Sequence, residues 1–164
     1  MTPSLFVSIL VTDTAYERGI YTNTQFALAI HILVLLAASD EKQVTSSAIA
    51  TSVNTNAVFI RRILGLLLRA GLVVSQSGVG GGWRLRRSAC AINLLDVYKA
   101  VQDDGLLALH RSQPNPRCPI GANIEQALRE SFVVAEGAFQ AALAQQTIDQ
   151  VRETVLAGAR ARAS

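Results

Sequence analysis

The feature that most constrains this chain is the stretch from Thr45 to Arg87. There a helical apolar pattern breaks at a turn, resumes, and gives way to strand alternation around a glycine cluster. Ala50 is a small residue in mid-helix, where a second helix can cross closely. Asn54 tolerates the left-handed backbone that a sharp turn requires. Ile60 follows on the inner face of the next helix, and Ile49, Val53, Ile63 and Leu64 complete an apolar seam at helical spacing. A small residue, a turn and an apolar residue at these intervals predict a helix-turn-helix. Gly71 reads as the stop of its second helix. Leu72, Val73 and Val74 then open a strand. Gly78, Gly80, Gly81 and Gly82 make a loop, and Trp83-Arg84-Leu85-Arg86 resumes the alternation. The expected fold class is mainly α with a small β-hairpin, a winged helix-turn-helix.

The charge of this stretch is one-sided. Between Asn54 and Arg87 lie six arginines (Arg61, Arg62, Arg69, Arg84, Arg86, Arg87) and no acid, so a chain of net +3 carries −3 elsewhere. Cations concentrated in this way fit a phosphate backbone. Thr55 or Asn56 is expected to cap the second, recognition helix, whose first turns would meet base edges. Asn56 and Arg61 are the candidate base readers, because Asn can pair bidentately with adenine and Arg with guanine. Val58 can meet a thymine methyl. Arg62, Ser77, Gly80, Gly81, Gly82, Trp83, Arg84 and Arg86 are the candidates for phosphate and wing contacts. Glycine amides, with no side chain to clash, can approach a sugar–phosphate edge. One winged helix touches few base pairs, so a two-fold pair on palindromic double-stranded DNA is the expected binding unit.

Other chemistries fit less well. Gly78-x-Gly80 could open a dinucleotide loop, but that loop needs glycine where Trp83 stands and a helix where a strand is read. No Lys-Ser or Lys-Thr pair completes a phosphate-binding loop. No nucleophile, paired-carboxylate or metal-ligand motif argues for an enzyme, and no cofactor is expected. Cys90 and Cys118, 28 residues apart, make no disulfide framework or zinc site and suit a reducing cytoplasm. Cys90, among apolar neighbours, is expected in the core. His31 is expected as a core or helix-surface residue without a ligand role. A winged-helix adaptor that binds a protein instead of DNA is the alternative function, and the arginine concentration argues against it.

Along the chain, residues 1–22 form an N-terminal extension with an apolar run from Leu5 to Val11. No basic residue precedes that run, no cleavage site is clear, and it is too short to span a bilayer, so no membrane association is expected. Residues 23–102 make the winged-helix domain. Its first helix, Thr24 to Ala38, is read with Phe26, Ile30, Leu33 and Ala37 on one face, and Asn93 caps a helix that packs Leu94, Val97, Tyr98 and Val101 inward. Residues 103–120 are a linker marked by Gly105, Pro114, Pro116 and Pro119. Residues 121–164 hold a long helix, along which Ile124, Leu128, Phe132, Ala135, Phe139 and Ala142 recur at helical spacing, and a final helix behind a Thr147/Gln150 capping box. A long alanine-rich helix beyond a linker has little of its own domain to cover it, so it is expected to pair with a second copy as a dimerisation helix. A mean hydropathy of +0.30 points the same way.

The early helix NTQFALAIHIL, the RAGLV turn, the wing GVGGGWRL, the helix INLLDVYKAV and the CPIG segment resemble the Rrf-two family of bacterial transcription regulators over about Asn23 to Val155. The resemblance implies a homodimeric winged-helix regulator with a long dimerisation helix. Cluster-binding members of that family carry three closely spaced cysteines before this helix. Here the linker has Cys118 alone, with His110 nearby, and a cluster needs four ligands, so none is expected. Cys118 itself lies just before a helix N-terminus beside Arg117, both of which favour thiolate. It is the candidate sensor of an oxidant or electrophile, a small-molecule effector.

Overall fold

A computed structural model describes residues 24–40, 42–102 and 106–163, so the N-terminal extension lies outside the described residues. The order of elements is α1 (Thr24–Ala37), α2 (Ser46–Val53), α3 (Ala57–Arg69), β1 (Val73–Gln76), β2 (Gly82–Leu85), α4 (Leu94–Val101), α5 (Ile124–Ala144) and α6 (Ile148–Ala163).

Helix α1 is the hub. It carries no acidic or basic residue apart from His31, and it touches α2, α3, α4, α6 and β2. Its buried stripe is Ala29, Ile32, Leu33 and Leu36, with Val34 beside it. The face expected from Phe26, Ile30, Leu33 and Ala37 is rotated from this one: Phe26, Ile30 and Ala37 are only half-buried. A helix that is apolar all round has no periodicity from which to read its orientation. The neighbours decide instead, with α3 and α4 packed on it as well as α6.

Local chemistry places most of the other boundaries. Thr45 caps α2 by accepting from the Ala48 N–H at 3.2 Å, and Asn54 ends it at φ 55°. Helix α3 buries Ile60, Ile63, Leu64 and Leu67 completely. It stops at Gly71, whose φ of 69° turns the chain while the Leu72 N–H reaches back to the Leu67 carbonyl at 2.9 Å. This closes the helix end in the manner of a Schellman turn. Asn93 and Asp96 form a reciprocal capping box on α4, and all four expected inward residues, Leu94, Val97, Tyr98 and Val101, are buried.

Strands β1 and β2 pair antiparallel with Val73 opposite Leu85 and Gln76 opposite Gly82. Val44 adds a third rung on the far side of β2, exchanging both backbone hydrogen bonds with Trp83 at 2.9 and 3.0 Å. Gly82 permits this approach, since a Cβ there would sit 2.9 Å from the Val44 backbone.

The C-terminal helices behave differently from one another. Helix α6 returns to the body: Ile148 is fully buried, the Thr147/Gln150 capping box forms, and backbone bonds of 2.9 Å tie Gln146 and Ile148 to Leu94 and Ile92. Helix α5 runs 21 residues without one buried side chain. It meets the body chiefly at α4, where the Tyr98 ring stands edge-on between Phe26 and Phe139, at centroid distances of 5.5 and 5.2 Å. Burial, and then the nearby Glu136 carboxylate, raise the Tyr98 pKa above its ordinary value. No described helix is long and apolar enough to cross a membrane.

Gly82→Ala should lower the unfolding free energy by about 1–3 kcal/mol, because the added methyl must push Val44 out of its rung. Urea denaturation checks this, and an unchanged midpoint would show that the sheet has room to spare.

Candidate nucleic-acid interface

The second helix of the motif has an inner and an outer face set by one apolar stripe. With Ile60, Ile63, Leu64 and Leu67 held inward, Val58, Arg61 and Arg62 are turned to solvent, Val58 at 72% exposure. The cap is Asn56, not Thr55: its Oδ1 accepts from the Phe59 N–H at 2.8 Å. That oxygen is the one a bidentate pairing with adenine would also need. The amide nitrogen of Asn56 makes no bond among the described residues, and the residue is exposed.

The wing follows the parity of its strands. Trp83 and Leu85 are half-buried on the inner face and pack against the core, while Arg84 and Arg86 face outward and are exposed. Trp83, named above among the wing candidates, anchors the wing: its backbone serves Val44 and its indole meets the core. Gly82 is likewise inside the sheet, where its role is the close approach to Val44. The tip proper runs from Ser77 to Gly81. Gly78 and Gly80 have φ of 96° and 77° with open space around them, and at Gly81 a Cβ would collide with the Gln76 carbonyl. Between them Val79 stands fully exposed. Sequence reading passed over Val79, although a single apolar residue among glycines is a visible signal.

The six arginines of this region are all exposed. Arg87 is paired with Asp96 at 2.8 Å; the other five make no ion pair among the described residues. The result is an uncompensated cationic surface on the outer faces of α3 and β2, which the negative charge of a phosphate backbone would complement.

Two residues expected elsewhere need correction or detail. Cys90 is exposed, not in the core, and its thiol donates to Asp149 Oδ2 at 3.3 Å. The short 3₁₀ turn Ala89–Ala91 buries Ala89 instead and turns Cys90 toward α6. His31 is on the exposed side of α1 with Nε2 3.3 Å from Ser52 Oγ. Cys118 is exposed in the turn before α5, where the Asn115 side chain accepts from the Arg117 N–H. The N–H of Gly121, and then that of Ile120, donate to its sulfur and lower its pKa below that of an ordinary thiol.

Comparison with known proteins gives this geometry a family. The family Rrf2 (Rrf-two), described as "Iron-dependent Transcriptional regulator", matches residues 22–154. The chain is 43% identical over 130 residues to the "Putative HTH-type transcriptional regulator YwnA" of Bacillus subtilis (strain 168), covering 79% of this chain and 95% of YwnA. The fold is shared with the structure of CymR, the global cysteine regulator of B. subtilis, at a TM-score of 0.63 and 20% identity over 83% of this chain and 98% of that one. It is shared too with T. potens IscR, at a TM-score of 0.61 and 20% identity over 84% and 89%. The family description names iron. This chain has two cysteines in all, and among the described residues no group of three His, Cys, Asp or Glu could hold a metal. An inward aliphatic stripe that turns arginines outward, a glycine-tipped wing beside it and the match over residues 22–154 agree: this chain belongs to the Rrf2 family of helix-turn-helix transcriptional regulators, DNA-binding proteins and not enzymes.

Proposed function

We propose that this chain is a homodimeric repressor of a palindromic operator, holding no iron–sulfur cluster and regulated through the thiol of Cys118. The observation that carries the reading is the uncompensated cationic surface on α3 and the wing. Arg61 reads a base edge with Val58 against a thymine methyl, and the exposed amide of Asn56 donates to a base acceptor while its oxygen stays in the cap. Arg62, Arg84, Arg86 and the tip from Ser77 to Gly81 follow the phosphates, and Val79 lies against a groove wall.

The dimer has its support in α5. Ala127, Val134, Ala138 and Ala141 form a stripe of exposed small and apolar side chains at heptad-like spacing, with Val134 at 73% exposure. Four of the residues first read along this helix, Ile124, Leu128, Phe132 and Phe139, are half-buried within the one chain, and Phe139 is engaged with Tyr98. The open stripe is where a second α5 would lie. Two recognition helices so related would read half-sites roughly 34–36 Å apart, or a multiple of it.

Fluorescence anisotropy with duplex DNA from the chain's own upstream region tests the reading. Arg61→Ala should cost about 1–3 kcal/mol and relax preference at one base position, while Arg62→Ala should weaken all sequences alike and reduce the salt slope by about 1. Equal behaviour of the two variants, or no DNA bound by the wild type, would end it. Asn56→Ser should retain the cap and the folded stability while losing base discrimination, whereas Asn56→Ala should also lose about 1 kcal/mol of stability. Val134→Glu should sediment as a monomer and bind the operator far more weakly than the wild type. The thiolate of Cys118 is favoured by its two N–H donors, so its alkylation should rise with pH through a midpoint below that of free cysteine and outpace it at neutral pH. A Cys118 labelled no faster than free cysteine would remove the sensor.

A further inference from the structure

The base of the wing and the first turn of α6 enclose a cleft of about 460 Å³, within the range of small-molecule sites, roughly 300–1,000 Å³. Its lining is rich in arginine. Arg84, Arg86, Arg87 and Arg152 all border it, and Asp149 is the one carboxylate among the lining residues. That carboxylate is fully engaged: Oδ1 holds Arg152 at 2.7 Å and Oδ2 accepts from the Cys90 thiol at 3.3 Å. Arg152 still has an unanswered donor, because its Nε is buried with no hydrogen-bond acceptor. A buried donor left without an acceptor is destabilising, and a ligand oxygen would relieve it. Arg84 and Arg86 have no acidic partner among the described residues. Guanidinium groups present a planar fork of N–H donors matched to phosphate and carboxylate. Arg87 is held by Asp96 outside this lining, but Arg84 and Arg86 from the wing and Arg152 from α6 border the cleft and offer a receptor for more than one negative charge.

We propose that this cleft binds a small polyvalent oxyanion, a metabolite bearing phosphate or several carboxylates. Its occupancy joins the wing to α6 and neutralises Arg84 and Arg86. The binding stands on the cleft alone. Its consequence rests on the proposed function, since a bound anion satisfies the same wing cations that DNA phosphates would use, and so weakens operator binding. Arg152, on α6, belongs to the cleft and to no part of the DNA surface described above.

Calorimetry on the full chain at constant ionic strength tests this, with inorganic pyrophosphate and citrate as probes for the phosphate and carboxylate classes. Saturable binding of one pyrophosphate or citrate per chain is expected. Arg152→Gln should weaken it at least tenfold. Asp149→Asn should tighten it at least threefold by releasing Arg152, a gain that misfolding does not produce. Arg61→Ala, which should impair operator reading, should bind the anion as the wild type does, so failure of the DNA reading and failure of the cleft are told apart. At saturation the anion should lower operator affinity at least fivefold for the wild type and leave that of Arg152→Gln unchanged. Absence of saturable binding, equal losses in Arg61→Ala and Arg152→Gln, or no gain in Asp149→Asn would overturn the site. Unchanged operator affinity at saturation would overturn its regulatory consequence.

Discussion

The contact between α1 and α3 converts a run of arginines into a surface. Ile60, Ile63, Leu64 and Leu67 are wholly buried in the core that α1 lines with Ala29, Ile32, Leu33 and Leu36. Burial of each large aliphatic side chain is worth about 1.5–3 kcal/mol before conformational entropy is counted. Four of them together rival the whole net stability of a small domain, about 5–15 kcal/mol. A rotation of α3 about its axis would forfeit much of that sum, so the helix has one azimuth. Arg61 and Arg62 lie between Ile60 and Ile63 in sequence and on the opposite side in space. Their outward aim is the complement of the inward aim of their neighbours.

The wing inherits its place from two backbone devices. At Gly71 the chain leaves α3 in a left-handed step that ties Leu72 back to Leu67, so β1 departs at a defined angle. At Gly82 the absence of a side chain lets Val44 close a third rung on β2. Trp83 then fills the space beneath, and strand parity sends Arg84 and Arg86 the other way. The cationic face of the wing thus depends on a half-buried glycine and a half-buried indole whose work is structural.

Much of this was legible from residue order because the deciding chemistry is local. The caps at Thr45, Asn93 and Thr147, the turn at Asn54 and the stop at Gly71 involve partners within a few residues, and each is where its side chain or its φ requires. What escaped was set by distant partners. The face of α1 depends on α3, α4 and α6, which an all-apolar helix cannot announce. Cys90 meets Asp149, 59 residues away, so its neighbours in sequence misdirected it to the core. The return of α6 hinges on Ile148 entering a core built by residues far upstream. On the candidate interface, the arginines were readable from charge alone. The inward placement of Trp83 followed from alternation, which its aromatic character obscured.

The aromatic trio at the foot of α5 has a mechanical consequence. Phe26, Tyr98 and Phe139 meet edge to face where that helix leaves the body, and 21 residues at 1.5 Å each make a rod of about 31 Å. Such a rod is a lever with its fulcrum at the Tyr98 ring. The arm from Phe139 back to Ile124 is about 22 Å, so a tilt of about 5° there would carry the start of the helix through about 2 Å. A minor repacking of three rings would therefore shift the start of α5, and with it the turn that carries Cys118, relative to the body.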